Sequence, residues 1–564
     1  MAFGEIIDKV GGMGRFQFIQ LSLICLPMLM LASHNLLQNF VAMVPPHHCQ
    51  APKNFSESNL DPKDIVLVTV PLDSKGRPFK CQRYSSPRWY LLAENGSLGD
   101  GSSVQGTRSP PLTDLQGCED GWEYEMTDRS STIISEWDLV CDLHSYKQMG
   151  QSIYMGGVLV GALIFGGFSD RFGRKKLMLI SHLMMAVGGT CATFAPSFFL
   201  FCLFRFFCGM ALSGFVLNAH SLNVEWIPTQ ARTMTVATTG YCYTMGQLLL
   251  SGVAYLLRDW RWLTLAVSLP FYICFLYSWW FQESARWLVL SGKSDQAVKC
   301  VKTVARINGC KAEGEKIDVE VLQKSMKKEL SCSQETHSAL DLFRLSSLRM
   351  ITLCLSAVWF STSFAYYGLA LDLQKFGVSI YLIQVIFGAV DIPAKIIITA
   401  SLSHFGRCRS QSVVLIVAGV TILINILVPY DQQILRTSLA VLGKGCLAAS
   451  FNVCFLYSGE LYPTVIRQNG MGWVSMTARV GAMVAPMVQL LGETTAWLPG
   501  LIYGGVPILS GLVAIFLPET MSTPLPETIQ DVEERIANKK CQRATKKQEA
   551  EPKDTDSFPL KETA

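Results

Sequence analysis

Glu225-Trp226-Ile227-Pro228-Thr229-Gln230-Ala231-Arg232 recurs as Glu460-Leu461-Tyr462-Pro463-Thr464-Val465-Ile466-Arg467, with Glu, Pro and Arg at the same internal spacing roughly 235 residues on. Two further landmarks keep nearly the same offset. Asp170-Arg171-Phe172-Gly173-Arg174 is echoed by Ser403-His404-Phe405-Gly406-Arg407, and Glu283-Ser284 by Glu519-Thr520. Three pairs in register identify two homologous halves. Each landmark ends a long apolar run, so the repeated unit is a set of membrane helices.

Composition agrees. Half of the residues are hydrophobic and 16% are charged, against about a quarter charged in a soluble domain. Twelve apolar runs read as spans, at roughly 15–43, 147–169, 176–196, 198–224, 233–257, 262–280, 347–371, 378–402, 411–429, 436–458, 470–491 and 497–517. The fold class is therefore an all-α polytopic membrane protein of two six-helix bundles. Domains follow as a cytoplasmic N-terminus (1–14), a first bundle (15–280) containing a large outer loop (44–146), a cytoplasmic linker (281–346), a second bundle (347–517) and a tail (518–564). The linker alternates Lys and Arg with Val, Leu and Ile, which suits short amphipathic helices or a plain tether. The tail is Lys-, Glu- and Thr-rich without apolar periodicity and reads as disordered.

The net charge of +4 says little, but its distribution orients the chain. Arg171, Arg174, Lys175 and Lys176 after span 2 lie on the same side as Arg407 and Arg409 after span 8, and basic residues concentrate in cytoplasmic loops. Residues 44–146 then face outward, and they hold the only two N-x-[ST] sequons, at Asn54 and Asn95. Cys49, Cys81, Cys118 and Cys141 share that loop, where an oxidising exterior permits two disulfides in any of three pairings. His47 and His48 precede Cys49, but no further cluster has zinc-like spacing, so no metal is expected. The first apolar run lacks a cleavage site and is long enough to span, so it is expected to stay as a helix with a cytosolic N-terminus.

Charges within spans are costly and mark function. Five are present: Arg205, Asp391, Lys395, Lys444 and Arg479. Arg479, mid-span in Ser475-Met-Thr-Ala-Arg479-Val-Gly-Ala, has no acid within one turn; it suits contact with an anion or a pair with an acid on another span. Asp391 and Lys395 are four apart and predict a pair on one helical face. Lys395 and Arg479 against Asp391 leave a positive lining, which favours anionic substrate. Lys444 and Arg205 lie nearer span ends and are expected to snorkel as structural residues. Tyr241, Tyr243, Trp359, Phe364, Tyr366, Tyr367, Phe451 and Phe455 supply an aromatic lining or simple packing; the tyrosines are the sharper candidates, because a buried phenol needs a hydrogen-bond partner. His34, Asn35, Gln38 and Asn39 line an outer vestibule or bond neighbouring helices, and Gly157 and Gly161 permit close helix contact.

Gly166-x-x-x-Asp170-Arg171-x-Gly173-Arg174-Lys175 resembles the signature loop of the major facilitator superfamily, with Glu283-Ser-Ala-Arg286-Trp287 and Pro518-Glu519-Thr520 as its other landmarks. The first loop with four cysteines, Ser33-His34-Asn35, Phe364-Ala-Tyr366-Tyr367-Gly368, Asp391-x-Pro-Ala-Lys395, Gly443-Lys444-Gly-Cys446 and Gly459-Glu460-Leu-Tyr-Pro463-Thr-Val-Ile-Arg467-Gln468 together resemble the organic anion transporter branch of the amphiphilic solute carrier family. The resemblance implies a multi-pass plasma-membrane carrier with both termini cytoplasmic, working by alternating access and exchanging an organic anion for an intracellular dicarboxylate. Its implied ligands are aromatic carboxylates, sulfated conjugates and dicarboxylates, with chloride admitted. It implies no cofactor and no nucleic acid, and leaves the oligomeric state open. Matching substrate-binding positions are Asn35, Tyr243, Tyr367, Lys395, Phe451 and Arg479, to which the aromatic reading above adds Tyr366. Asp170, Arg171, Arg174, Glu225, Arg232, Glu460 and Arg467 match its gating clusters. Ser403 and His404 replace the expected Asp and Arg in the second half, so that lock is expected to be weaker or differently made. His220 departs from the smaller or thioether side chain usual in relatives. Cation-transporting relatives carry an acid in place of Arg479; a cation, zwitterion or urate carrier of the same fold is the alternative. A membrane enzyme or receptor has no nucleophile, metal or nucleotide motif to support it.

Overall fold

The computed structural model describes residues 3–52, 61–73, 76–89, 91, 115–125, 130–228, 231–326, 341–371, 373–376, 378–429, 431–463, 466–521, 526, 530 and 532–533. Asn54, Asn95 and the tail beyond residue 533 lie outside them. Long helices occupy all twelve expected spans. They are α1 Arg15–Val41, α2 Ser145–Phe172, α3 Arg174–Thr193, α4 Phe198–Trp226, α5 Arg232–Leu256, α6 Trp260–Trp280, α7 Ser346–Ala370, α8 Ile380–Phe405, α9 Arg407–Leu427, α10 Gln433–Leu461, α11 Arg467–Val488 and α12 Leu498–Ala514. Ten of these regions are long and apolar enough by themselves to cross a membrane. The exceptions are α5, diluted by Thr, Tyr, Gly and Gln, and α12, which has 17 helical residues.

The chain divides into two compact units: Met1–Leu322 with Leu371–Gly388, and Gln323–Ala370 with Ala389–Ala564. In the first, α4 packs on α2 and α3, α5 on α1, and α6 on α3. In the second, α9 packs on α10 and α12, and α7 on α11. The pairs α3·α4, α3·α6 and α1·α5 thus return as α9·α10, α9·α12 and α7·α11, the repeat of the sequence expressed as packing. Within the first unit the segment Leu371–Gly388 is held through Gln374, which both donates to and accepts from the backbone of Val44 at 3.2 Å.

Close approach in the first unit depends on missing side chains. A Cβ added to Gly157 would lie 2.2 Å from the Phe206 carbonyl oxygen, and one on Gly209 would lie 2.2 Å from that of Tyr154. The α2–α4 contact is therefore backbone on backbone. Large apolar side chains such as Leu427 and Ile434, more than 80% exposed, point away from the core as lipid-facing residues do.

Outside the membrane, β1 His47–Cys49 pairs antiparallel with β4 Trp122–Tyr124, and β2 Arg83–Tyr84 with β3 Leu115–Gln116. The cysteines pair as Cys49–Cys118 and Cys81–Cys141. His47 lies beside Cys81 and Cys141, but those sulfurs are spent in a disulfide and offer no thiolate to a metal. In the linker, Ser294–Ile307 buries Ala297, Val298, Val301, Val304 and Ala305. Asn308 beyond it accepts from the Phe16 N–H at 2.8 Å and donates to the Val10 carbonyl at 3.0 Å, tying the linker to the start of α1.

Candidate functional site

The signature loops show the repeat at atomic detail. Gly173 and Gly406 take φ values of +95° and +85° between consecutive helices, a conformation natural to glycine. The turn aims the first N–H groups of the next helix at one carboxylate. Glu283 accepts from the backbone of Arg174 at 3.0 Å and of Lys175 at 3.2 Å; Glu519 accepts from that of Arg407 at 2.8 Å and of Cys408 at 3.1 Å. A carboxylate over these helix N-termini complements their partial positive charge. The loop arginine then reaches the Glu at the end of α4 or α10: Arg174 lies 3.7 Å from Glu225, and Arg407 lies 3.1 Å from Glu460. Arg232 and Arg467 each donate from Nε to the carbonyl five residues back, Ile227 at 3.3 Å and Tyr462 at 3.1 Å.

The second cluster is made differently from the first. Glu460 takes Arg407 through both Nε and an NH2 group, and also accepts from the Thr520 hydroxyl. Losing Asp and Arg at positions 403 and 404 leaves this pair intact and the shorter of the two. Arg171 is exposed with its guanidinium 5.5 Å from the Phe172 ring centre. Asp170 ends α2, and its side chain is outside the described residues.

In the second unit the cations do not sit as their spacing suggests. Lys444 is 0% exposed and donates to Asp391 at 2.6 Å, with its ammonium 4.5 Å from the Tyr366 ring centre. The expected snorkelling of Lys444 is thus overturned, and Asp391 has a partner on α10 besides its electrostatic interaction with Lys395 on its own helix. Residues 391 and 395 share a helical face, but Lys444 from α10 approaches the carboxylate directly. Lys395 remains partly accessible and interacts electrostatically with both Asp391 and Lys444. Arg479 is partly accessible in mid-α11, donates to Ser475 Oγ at 2.9 Å and interacts electrostatically with Tyr367. Among the described residues no carboxylate pairs with it. Three cations face one carboxylate in this part of the unit. Aromatic rings surround them: Phe451 meets Tyr366 edge-on at 5.4 Å and Trp359 at 6.2 Å, while Tyr366 meets Tyr367 at 5.4 Å.

The first unit holds a buried polar chain that the spacing of residues does not disclose. Tyr154 of α2 donates to Asn35 Oδ1 at 2.8 Å, and the Asn35 amide donates to Tyr243 of α5 at 3.1 Å. Arg205 of α4 is 1% exposed, not snorkelled; it donates to the His34 carbonyl at 3.0 Å and stacks 4.2 Å from the Tyr154 ring centre. Gln38 donates to the Lys147 carbonyl at 3.3 Å, so the polar stretch of α1 serves in good part to bond neighbouring helices. Tyr154 was invisible as a candidate because tyrosine in an apolar run carries no positional signal. Arg205 carried one, as a charge within a span. His220 lines a small pocket with Asn223, Arg232 and Thr239.

Residues 113–531 match the family model for sugar (and other) transporters. The chain is 64% identical over 546 residues to solute carrier family 22 member 6 of Pseudopleuronectes americanus, covering 97% of each chain. It is 63% identical to the protein of the same name from Danio rerio, covering 100% of each, and 47% identical to solute carrier family 22 member 20 of Mus musculus, again covering 100% of each. Among solved structures, the major facilitator superfamily proton:xylose symporter XylE bound to 6-bromo-6-deoxy-D-glucose is similar with a TM-score of 0.55 and 19% identity, over 70% of this chain and 90% of that one. That likeness concerns the fold alone.

Proposed function

We propose that this chain, which belongs to the sugar (and other) transporter family and within it to solute carrier family 22, is a secondary carrier of amphipathic organic anions. The family is one of transporters, not enzymes. The observation that carries the reading is Arg479, a cation in the middle of a membrane helix with a serine and a tyrosine beside it and, among the described residues, no carboxylate. A charge kept in that setting needs an anion, and the substrate supplies it. Lys395 is the second cation offered to a carboxylate or sulfate. Tyr366, Tyr367 and Phe451 in the same unit receive the apolar body.

No nucleotide-binding motif is present in the sequence, so gradients or exchange drive transport; alternating access with an intracellular dicarboxylate as counter-substrate is what the family resemblance implies. The Arg174–Glu225 and Arg407–Glu460 clusters, with Arg171, Arg232, Arg467 and Asp170, serve as the switches. The protein resides in the plasma membrane with residues 44–146 outside; the two disulfides of that loop suit an oxidising compartment. Uptake of labelled benzoate and of a labelled quaternary ammonium into cells expressing the protein, with and without preloaded dicarboxylate, tests this. Benzoate uptake raised by preloading is expected, and Arg479→Asp abolishes it at unchanged surface expression. Uptake of the ammonium alone, or benzoate uptake unaltered in Arg479→Asp, overturns the reading.

A further inference from the structure

We infer that Cys81, Cys141 and His47 are a latent metal site of the outer loop: closed while the two cysteines are bridged, and opened by a small thiol to bind a soft divalent cation such as Zn²⁺. The site lies outside the membrane and stands whatever the carrier moves.

A ring nitrogen of His47 and the sulfurs of Cys81 and Cys141 all lie within 4.8 Å of one another. The imidazole is held as metal-bound histidines are. Its Nδ1 lies 2.9 Å from the Pro45 carbonyl oxygen, which can only accept, so Nδ1 carries the proton and Nε2 keeps the lone pair. A bond of that kind to a backbone carbonyl commonly fixes the tautomer of a ligating histidine. Two thiolates and an imidazole are a set that zinc takes at about 2.3 Å from sulfur and about 2.0–2.1 Å from nitrogen. To meet one ion the sulfurs must part to roughly 3.8 Å, the span of two such bonds at the tetrahedral angle. The Cα atoms are 5.7 Å apart, so rotation of the side chains suffices. His47 also lines a cavity of about 160 Å³ with Leu139, Val140 and His144, where water can take the fourth position.

The two bridges of the loop differ in access. Cys49 is 1% exposed and sits in β1 opposite Trp122. Cys81 is exposed, and Cys141 takes a φ of +52°, a left-handed backbone that is costly for a residue with a Cβ. A thiolate from solvent therefore reaches the Cys81 sulfur. Its attack forms a mixed disulfide with Cys81 and expels Cys141 as a thiolate, and a second thiol then frees Cys81. The bridge gains two electrons, and the two attacking thiols, glutathione or a like small thiol, leave as one disulfide. The metal displaces the remaining thiol protons as it binds. Cys141 stands four residues before α2 begins at Ser145, so the ion joins the outer end of that helix to β1.

The full chain in nanodiscs, its free thiols first blocked with N-ethylmaleimide, tests the site with Co²⁺ as the probe, whose thiolate charge-transfer and d–d bands report tetrahedral sulfur coordination. After reduced glutathione, labelling of one portion with a heavier maleimide and peptide mass spectrometry are expected to find Cys81 and Cys141 opened and Cys49 and Cys118 still bridged. The other portion takes up one Co²⁺ with intense visible bands, which the chain without glutathione does not show. His47→Gln, which can keep the bond to Pro45 but offers no imidazole, opens equally and binds Co²⁺ at least about tenfold more weakly, the loss that follows removal of even an outer-shell partner. Opening of both bridges together, an opened chain without the Co²⁺ bands, or undiminished affinity in His47→Gln overturns the inference. The first two outcomes need no variant and decide the site even where His47→Gln fails to fold.

Discussion

The α2–α4 contact of the first unit and the α8–α10 contact of the second descend from one repeated unit, yet they bury their cations by opposite means. In the first, glycines bring backbone onto backbone at Gly157 and Gly209, and Arg205 is solvated by a carbonyl, an imidazole and a phenol face. In the second, a Cβ on Gly445 would lie 3.3 Å from a Val390 methyl, a side chain that can shift by a few tenths of an ångström, and Lys444 is held by Asp391. The same architecture tolerates an internal charge whether its compensation is ionic or built from neutral dipoles. The two solutions differ in what they leave over: a closed pair in one unit and a net positive charge in the other.

The largest effect follows from breaking the closed pair. Asp391→Asn leaves Lys444 buried without its counter-ion and is expected to cost about 3–5 kcal/mol, read as loss of folded yield and a lower unfolding temperature in nanodiscs. Asp391→Asn with Lys444→Met removes both charges and recovers most of that loss. A double variant as unstable as the single one breaks the comparison. Arg205→Met, which strands no acid, is expected to be the milder substitution.

Next comes packing. Gly209→Ala pushes a methyl group into the Tyr154 carbonyl, where backbone cannot yield cheaply, and is expected to destabilise by about 1–3 kcal/mol. Gly445→Ala meets only Val390 and Ala394 side chains, and gains up to about 1 kcal/mol of helix propensity, so it is expected to be close to neutral. Thermal unfolding of both variants checks whether the contact differs between the units as described.

The loop clusters give a smaller contrast of reversed sign between the units. Glu460→Gln removes a carboxylate that accepts from an Arg407 NH2 group, lies 3.1 Å from its Nε and accepts from the Thr520 hydroxyl, at about 1.5–3 kcal/mol. Glu225→Gln loosens a 3.7 Å contact with Arg174 and a bond with Ser284 and is expected to cost less than Glu460→Gln. Equal shifts in unfolding temperature refute the difference in tightness.

The smallest effect lies outside the membrane. Burial holds the His47 imidazole below its ordinary pKa of 6.5, partly opposed by its bond to the Pro45 carbonyl at 2.9 Å. A lowered folded-state value means that its contribution to stability is present above pH 6.5 and falls as pH drops through 6.5 toward the folded value. The unfolding temperature of the full chain is expected to decline less between pH 7.5 and 5.5 in His47→Gln than in the unaltered protein; identical declines remove His47 as a cause.

Much of the fold was legible because its signals are local. Lipid demands about 20 apolar residues per span, and the Gly turns with their Glu acceptors recur at a fixed offset, so both halves and both loop motifs could be placed from sequence. The candidate site was legible only in part. Arg479 stood out because its helix holds no acid nearby, and it has no carboxylate partner among the described residues. Lys444 was missed as the partner of Asp391, since spacing along one helix shows which residues share a face but not which neighbour approaches it. Tyr154 gave no sign at all.

By itself, then, the sequence determined the long apolar spans and the two-fold repeat that the packing expresses. Only the tertiary structure decided that Lys444 reaches Asp391, that Cys49 joins Cys118 and Cys81 joins Cys141, and that Arg205 is buried on Tyr154. The reason is geometric. Hydropathy and helical period act over a few residues of one chain segment, whereas the choice of partner for a buried charge is made between helices, where a difference of one turn exchanges an acid for an aromatic ring.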